Sequence, residues 1–254
     1  MNHQVLTDEL EAVARSAGAA IMDFYGACPR VKLKTDGSPV TAADNAAEAI
    51  ILAALAKQAS HIAVISEENE RSHELQAPQR FFLVDPLDGT KEFLKNDEAG
   101  AFTVNIALIE HGQPVLGVVY APALDRLFAG TVGSGATETC KGKRRSIAVR
   151  SPPAEGPVAV ASCSHRDDAT ERWLAENDIS DTISIGSSLK FCLLACGEAD
   201  IYPRFGTTME WDTAAGHAVL RAAGGHVTTP DNKPFTYGKP DFRNGPFIAA
   251  SGAG

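Results

Sequence analysis

Positive charge is scarce in this chain. Lysine and arginine total 23 against 32 aspartates and glutamates, a formal net charge of −9 at pH 7. That balance argues against general affinity for nucleic acid or an anionic membrane surface. An acidic protein that handles phosphate needs local cations, so metal ions become plausible companions. Long apolar runs are missing too. No stretch approaches membrane-spanning length, and the first residues lack a basic region followed by an apolar core. The expectation is a cytoplasmic protein without an integral membrane segment; contact with the face of the inner membrane is left open. Cysteine is sparse and scattered. The five residues Cys28, Cys140, Cys163, Cys192 and Cys196 are odd in number and form no Cys-x-x-Cys pair. They read as reduced, mostly structural thiols. There is no internal repeat, and Gly133 and Gly135 lack the rest of a dinucleotide fingerprint.

What is present suits an ordinary globular protein with 44% hydrophobic and 22% charged residues. Its 254 residues suffice for one large domain or two lobes. Leu10, Val13, Ala17, Ile21 and Phe24 fall at helical spacing and predict a helix from about Thr7 to Tyr25, with Asp8, Glu9 and Glu11 in its first turn. Gly26 and Pro29 end it. Val31–Lys34 reads as a short strand before an Asp36–Pro39 turn. Thr41 then caps a helix to about Lys57, with Asp44 at the capping-box position. Strands are expected at Ile62–Ile65, Phe81–Val84, Phe102–Ile109, Val115–Tyr120 and Arg126–Gly130, with a polar connection at Ser72–Arg80. The basic run Lys141–Arg145 reads as a solvated hairpin tip.

Ser151–Pro157 is the best boundary, dividing an N-terminal α+β lobe (1–150) from a C-terminal α/β lobe (151–254). The second lobe alternates. Strands are expected at Val158–Ala161, Thr182–Ile185, Ala199–Tyr202, His226–Thr229 and Phe247–Ala250. Helices are expected at Asp167–Glu176, Ser188–Cys196 and Met209–Ala223. The fold class is therefore α/β, a layered sandwich of helices and sheets.

The central stretch is Asp85-Pro86-Leu87-Asp88-Gly89-Thr90, directly after the apolar run Phe81–Val84. Pro86 lacks an amide donor and Gly89 tolerates unusual dihedrals, so the strand is expected to stop and turn here. Two carboxylates this close stay ionised cheaply only with a cation between them. Hard oxygen ligands select Mg²⁺, Mn²⁺ or Ca²⁺ over zinc. Alone, the stretch could be an Asx-rich surface turn. Two further segments accompany it: Ile65-Ser66-Glu67-Glu68 at a strand end, and Trp211-Asp212-Thr213-Ala214-Ala215-Gly216 at a helix start.

In this order the three segments resemble the inositol monophosphatase superfamily of metal-dependent, lithium-sensitive phosphatases. The resemblance runs from Thr41-x-x-Asp44 to Gly224-Gly225. It implies that Glu67, Asp85 and the Leu87 carbonyl hold one Mg²⁺, and that Asp85, Asp88 and Asp212 hold a second. Glu67 would also help a third, weaker ion. The amides of Gly89 and Thr90 would cradle the scissile phosphate. Thr90 with Asp44 would orient and help deprotonate the attacking water, completing with Glu67 the catalytic set. Water would attack phosphorus directly. The Asp85-x-x-Asp88 spacing differs from the Asp-x-Asp of phosphatases with an aspartyl nucleophile.

Lys91-Glu92-Phe93 follows Thr90 where inositol monophosphatases tend to have Thr-Asn-Phe. With Gly186-Ser187-Ser188-Leu189-Lys190 and Tyr202-Pro203-Arg204, it resembles the bacterial CysQ-type 3'(2'),5'-bisphosphate nucleotidases. That group removes the 3'-phosphate of 3'-phosphoadenosine 5'-phosphate, a by-product of sulfate activation. A nucleotide bisphosphate substrate needs extra cations, for which Lys190 and Arg204 are the candidates. Ser162, His165 and Gly186 would line the same pocket, alongside Glu67, Leu87, Asp88, Gly89, Thr90 and Asp212. Lys190 could instead snorkel from an apolar helix, and His165 could simply flank the next helix. His217, just beyond the Asp212 motif, reads as packing. The alternatives are an inositol monophosphatase and a catalytically silent regulatory protein on the same fold. The silent reading needs a lost metal ligand, and all four acids are present. Oligomeric state is not legible.

Overall fold

A computed structural model describes residues 2–26, 32–33, 39–95, 100–162 and 167–252. In chain order the N-terminal half holds α1 (His3–Met22), β1 (Lys32–Leu33), β2 (Pro39–Val40), α2 (Ala42–Gln58), β3 (Ala63–Ser66), α3 (Glu70–His73), β4 (Arg80–Asp88) and α4 (Thr90–Lys95). Next come β5 (Thr103–Glu110), β6 (Gln113–Ala121), β7 (Arg126–Thr131), β8 (Gly135–Cys140) and β9 (Lys143–Ile147). The rest holds β10 (Ala159–Ser162), α5 (Asp168–Glu176), β11 (Thr182–Ile185), α6 (Leu189–Ala195), β12 (Ile201–Arg204), β13 (Thr208–Met209), α7 (Glu210–Ala222), β14 (His226–Thr228), β15 (Arg243–Asn244) and β16 (Phe247–Ala250).

Two sheets organise these elements. The larger has seven strands in sequence order, β3 to β9, antiparallel except for the parallel pair β3 and β4. The smaller has five, ordered β11-β10-β12-β16-β14. Helices separate and flank them. α1 and α2 cover one face of the large sheet, burying Leu10, Ile21, Ile51 and Leu55 against Phe82, Val84 and Leu108. α6 and α7 fill the space between the sheets, where Phe191, Trp211 and Val219 join Phe81 and Leu83 from one sheet and Tyr202 and Phe247 from the other. Leu174 of α5 packs on the outer side with Ala159. The result is five alternating layers. Phe81 and Leu83 face one core while Phe82 and Val84 face the other, which explains a strand with no polar alternation.

Small residues let the middle layer close up. A Cβ on Gly216 would lie 2.7 Å from the Phe191 side chain, so only glycine lets α7 approach α6 this closely. Partly buried ion pairs add further ties: Arg150 grips Asp200 through two bonds of 2.9 Å, and Arg126 links Glu138 of β8 to the more exposed Glu198 beyond α6.

Several expectations need adjustment. α1 begins at His3 under an Asn2 cap, four residues early, so Asp8, Glu9 and Glu11 are not in its first turn. The Asn2 side chain accepts from the Gln4 and Val5 amides, and that cap sets the start. β4 does not stop at Val84 but runs to Asp88 through an irregularity. Its pairing with β5 lapses at Pro86 and Leu87 and resumes at Asp88 opposite Thr103. Pro86 has no amide to give the ladder, so the strand bulges there and continues. The Ser72–Arg80 connection overlaps the end of α3, and α4 follows directly on the central stretch. The His111-Gly112 turn between β5 and β6 has φ of 49° and 73°, as a two-residue hairpin requires. The predicted Asp36–Pro39 turn, Pro29, Cys28, Cys163 and His165 lie wholly or mainly outside the described residues.

Candidate active site

Three chain segments converge where the sheets and the α7 start meet. β3 ends into Glu67, whose amide donates to the Val84 carbonyl at 3.1 Å and so ties that turn to β4. The β4 bulge presents Asp85 and Asp88. The first turn of α7 presents Asp212, whose Oδ2 accepts the Met209 amide at 2.8 Å. Carboxylate oxygens of Glu67, Asp85 and Asp212 lie within 4.8 Å of one another. Asp88 joins the same cavity, of about 310 Å³, with Leu87, Gly89, Thr90, Lys91, Glu92, Gly186, Lys190 and Arg204 also on its wall.

The electrostatics are those of a buried anionic cluster only partly offset by Lys190 and Arg204. Burial pushes the Asp85 carboxyl well above the usual range, and the neighbouring charges of Glu67, Asp88 and Asp212 push it further. Asp212 is raised in the same way, by burial first and then by Asp88 and Glu67. Asp88 is pushed up to about 6 by burial, opposed by the Lys190 ammonium and by the Ser188 amide, which donates to it at 2.6 Å. Four all-oxygen donors that repel one another when empty fit a hard divalent cation.

Around the cluster the backbone is committed. Gly89 has φ +88°, and a Cβ there would meet the Ala101 carbonyl at 3.0 Å, so the turn into α4 demands glycine. Thr90 opens α4, and its hydroxyl donates to the Leu87 carbonyl at 3.3 Å. Asp44 is buried, and its Oδ2 accepts from the Thr41 amide at 2.7 Å and hydroxyl at 2.6 Å. Burial raises its pKa despite those two bonds. Both bonds belong to the capping box that the sequence predicts.

Lys190 is 5% exposed and lies under the cavity. Its ammonium donates to the Ser187 carbonyl at 2.6 Å and sits 5.4 Å from the centre of the Tyr202 ring. Arg204, at the end of β12, is half-buried on the cavity wall, with Nε donating to the Gly206 carbonyl at 3.3 Å. Gly186 faces Glu92, and a Cβ there would lie 2.8 Å from the Glu92 side chain. Ser162 ends β10, while His165 falls outside the described residues. His217 is buried and bonds the Tyr237 hydroxyl at 3.0 Å, which is the packing role expected of it. Sequence reasoning missed Ser188, which joins Asp88 to Asn105 and Thr103 through bonds of 2.6 to 2.9 Å. Its signal was only a serine at a helix start, indistinguishable from a cap.

Comparison with known proteins agrees with this geometry. Residues 2–251 match the sequence profile of the inositol monophosphatase family. The chain is 51% identical over 235 residues to the 3'(2'),5'-bisphosphate nucleotidase CysQ of Escherichia coli O157:H7, covering 91% of this chain and 94% of that one. It is equally similar, with the same coverage, to the protein of that name from Salmonella typhimurium. Among solved structures, CysQ from Bacteroides thetaiotaomicron superposes with a TM-score of 0.84 at 36% identity, covering 97% of this chain and 98% of that one. An inositol monophosphatase from Anabaena gives 0.79 at 28% identity, covering 99% and 92%.

Proposed function

The chain belongs to the inositol monophosphatase family, and on that ground we propose that it is a Mg²⁺-dependent 3'(2'),5'-bisphosphate nucleotidase of the cytoplasm. It would convert 3'-phosphoadenosine 5'-phosphate to 5'-AMP and phosphate. The observation that carries this reading is one cavity that gathers the carboxylates of Glu67, Asp85, Asp88 and Asp212 with the cationic side chains of Lys190 and Arg204. Glu67, Asp85, the Leu87 carbonyl, Asp88 and Asp212 would hold two Mg²⁺ ions, with Glu67 also touching a third. When bound, the ions neutralise charge on the transferring phosphoryl group and make water a better nucleophile.

The chain's own groups then have distinct tasks. The amides of Gly89 and Thr90, at the opening of α4, cradle the scissile phosphate and fix its orientation. Thr90 and Asp44 orient the attacking water. Asp44, raised by burial, is a stronger base than a solvated aspartate and suits the removal of its proton. Water attacks phosphorus in line with the leaving 3'-oxygen, with no phosphoenzyme. Arg204 offers the second phosphate a planar, multidentate donor. Lys190 supports the same end of the cavity while holding Asp88 ionised. Gly186 would leave room there, and Ser162 and His165 would line the same pocket at the ribose or the 5'-phosphate.

The test is phosphate release with Mg²⁺ from 3'-phosphoadenosine 5'-phosphate beside inositol 1-phosphate and fructose 1,6-bisphosphate. Strong preference for the nucleotide is expected; preference for inositol 1-phosphate would keep the cation site and overturn the substrate. Arg204→Ala should raise KM for the bisphosphate by about 10-fold or more while sparing monophosphate turnover. Lys190→Ala should depress both, because it also strips Asp88 of its neighbouring cation. An equal loss on both substrates from Arg204→Ala would remove that residue from the second-phosphate site.

A further inference from the structure

Glu210 is fully buried, yet it is neither in the carboxylate cluster nor on the cavity wall. It opens α7, two residues before Asp212. Its two oxygens accept three donors from one distant segment: the Gly238 amide at 2.7 Å, the Lys239 amide at 2.9 Å and the Lys239 ammonium at 2.8 Å. The same segment returns to the same helix turn six residues later. Asn244 is buried, and its Nδ2 donates to the Met209 carbonyl at 2.7 Å and to the Thr213 hydroxyl at 3.0 Å. β15 pairs with β13, bringing Asn244 opposite Thr208 and Arg243 opposite Met209. Between these contacts the Tyr237 hydroxyl donates to Thr213 at 3.3 Å. Residues 237–244 therefore form a strap bonded to Met209, Glu210 and Thr213, on both sides of Asp212.

The strap resolves a physical difficulty. Asp212 must hold its carboxylate among three others that repel it, and the hydrogen bond it accepts comes from Met209, the cap of its own helix. An unrestrained first helical turn frays readily, because its amides lack intrahelical partners. We propose that Glu210 and Asn244 are the positioning residues of Asp212, anchoring the α7 start to the strap so that the fourth carboxylate is held in place before a cation arrives. This rests on the cation-site reading above and adds residues that touch neither cation nor substrate. Outer partners that orient ligands of this kind commonly change metal affinity 10- to 100-fold when removed.

The test is Mn²⁺ affinity of metal-free protein, measured by electron paramagnetic resonance without substrate, together with Tm. Glu210→Gln keeps the shape and loses the charge that holds Lys239; Asn244→Ala removes the second anchor. Each should weaken Mn²⁺ binding about 10-fold or more. Asp200→Asn, which breaks the distant Arg150 pair, serves as a destabilised control and should lower Tm without changing affinity. Affinity within twofold of wild type in both anchor variants, with Tm lowered as in the control, would reduce the strap to a structural role and overturn the proposal. Should Glu210→Gln fail to fold, Asn244→Ala alone decides. Wild-type protein that binds no Mn²⁺ would overturn the cation reading itself, a result distinguishable from weakened binding confined to the variants.

Discussion

At Asp85, burial and three like charges meet in one side chain. In the metal-free protein this carboxylate is a liability, and its neutral analogue removes it. Asp85→Asn should therefore raise Tm of the metal-free protein by about 2–4 °C per kcal/mol of repulsion relieved, while lowering turnover at least about 100-fold. Calorimetry in EDTA and a phosphate-release assay check the two halves; near-normal activity would sink the cation assignment. Asp88 contributes to the pH dependence. Its pKa is raised from an unfolded value of about 3.9 to about 6 in the fold. The folded state thus binds the extra proton, so its contribution to stability is fully present below about pH 3.9 and lost as pH rises through about 6. Metal-free protein should lose this contribution across that window. Because protons compete with the cation, apparent Mg²⁺ affinity should climb over the same range; a flat affinity between pH 5 and 7 would contradict it. Glu67, Asp85, Asp88 and Asp212 were legible as a candidate set only through the resemblance that their three motifs carry, since the central stretch alone also reads as an Asx-rich turn. The Ser188 link to Asp88 was not, since it depends on a partner 100 positions away.

At the scale of elements, β4 and α7 position the chemistry. The sequence placed β4 but ended it too soon, reading proline as a terminator when a bulge absorbed it. The bulge turns Asp85 and Asp88 into the same cavity, since a regular strand places residues three apart on opposite faces. α7 was read almost to its ends, and its small residues announced close packing. Gly216→Ala tests that contact. The added Cβ, 2.7 Å from Phe191, should cost about 1–3 kcal/mol. A thermal melt should show the loss, with cation affinity per folded molecule little altered; an unchanged Tm would mean α6 can yield. α4 escaped notice because six residues after a turn carry too little periodicity to register.

On the scale of the whole molecule, α6 and α7 are shared by both sheets, and one apolar cluster joins Phe81 to Phe247. The expected boundary at Ser151–Pro157 would divide the chain into two lobes along the sequence, and we propose that the segments on either side of it unfold together because they share that middle layer. Calorimetry should give a single transition with matching calorimetric and van't Hoff enthalpies; two resolved transitions would show independent lobes. Mg²⁺ should shift that transition upward, with a gain of about 2.7 kcal/mol at 100 times Kd, and EDTA should reverse it.

The amino-acid sequence by itself pointed to the class of chemistry, because three acidic motifs in this order resemble those of a metal-dependent phosphatase family. It also determined most strands and long helices, whose periodicity is local. Tertiary structure decided which carboxylates share a cavity, how Lys190 divides itself between Asp88 and the cavity, and how the strap reaches Glu210. Those outcomes depend on packing between residues far apart in the chain, and no local pattern encodes the distance across a folded core.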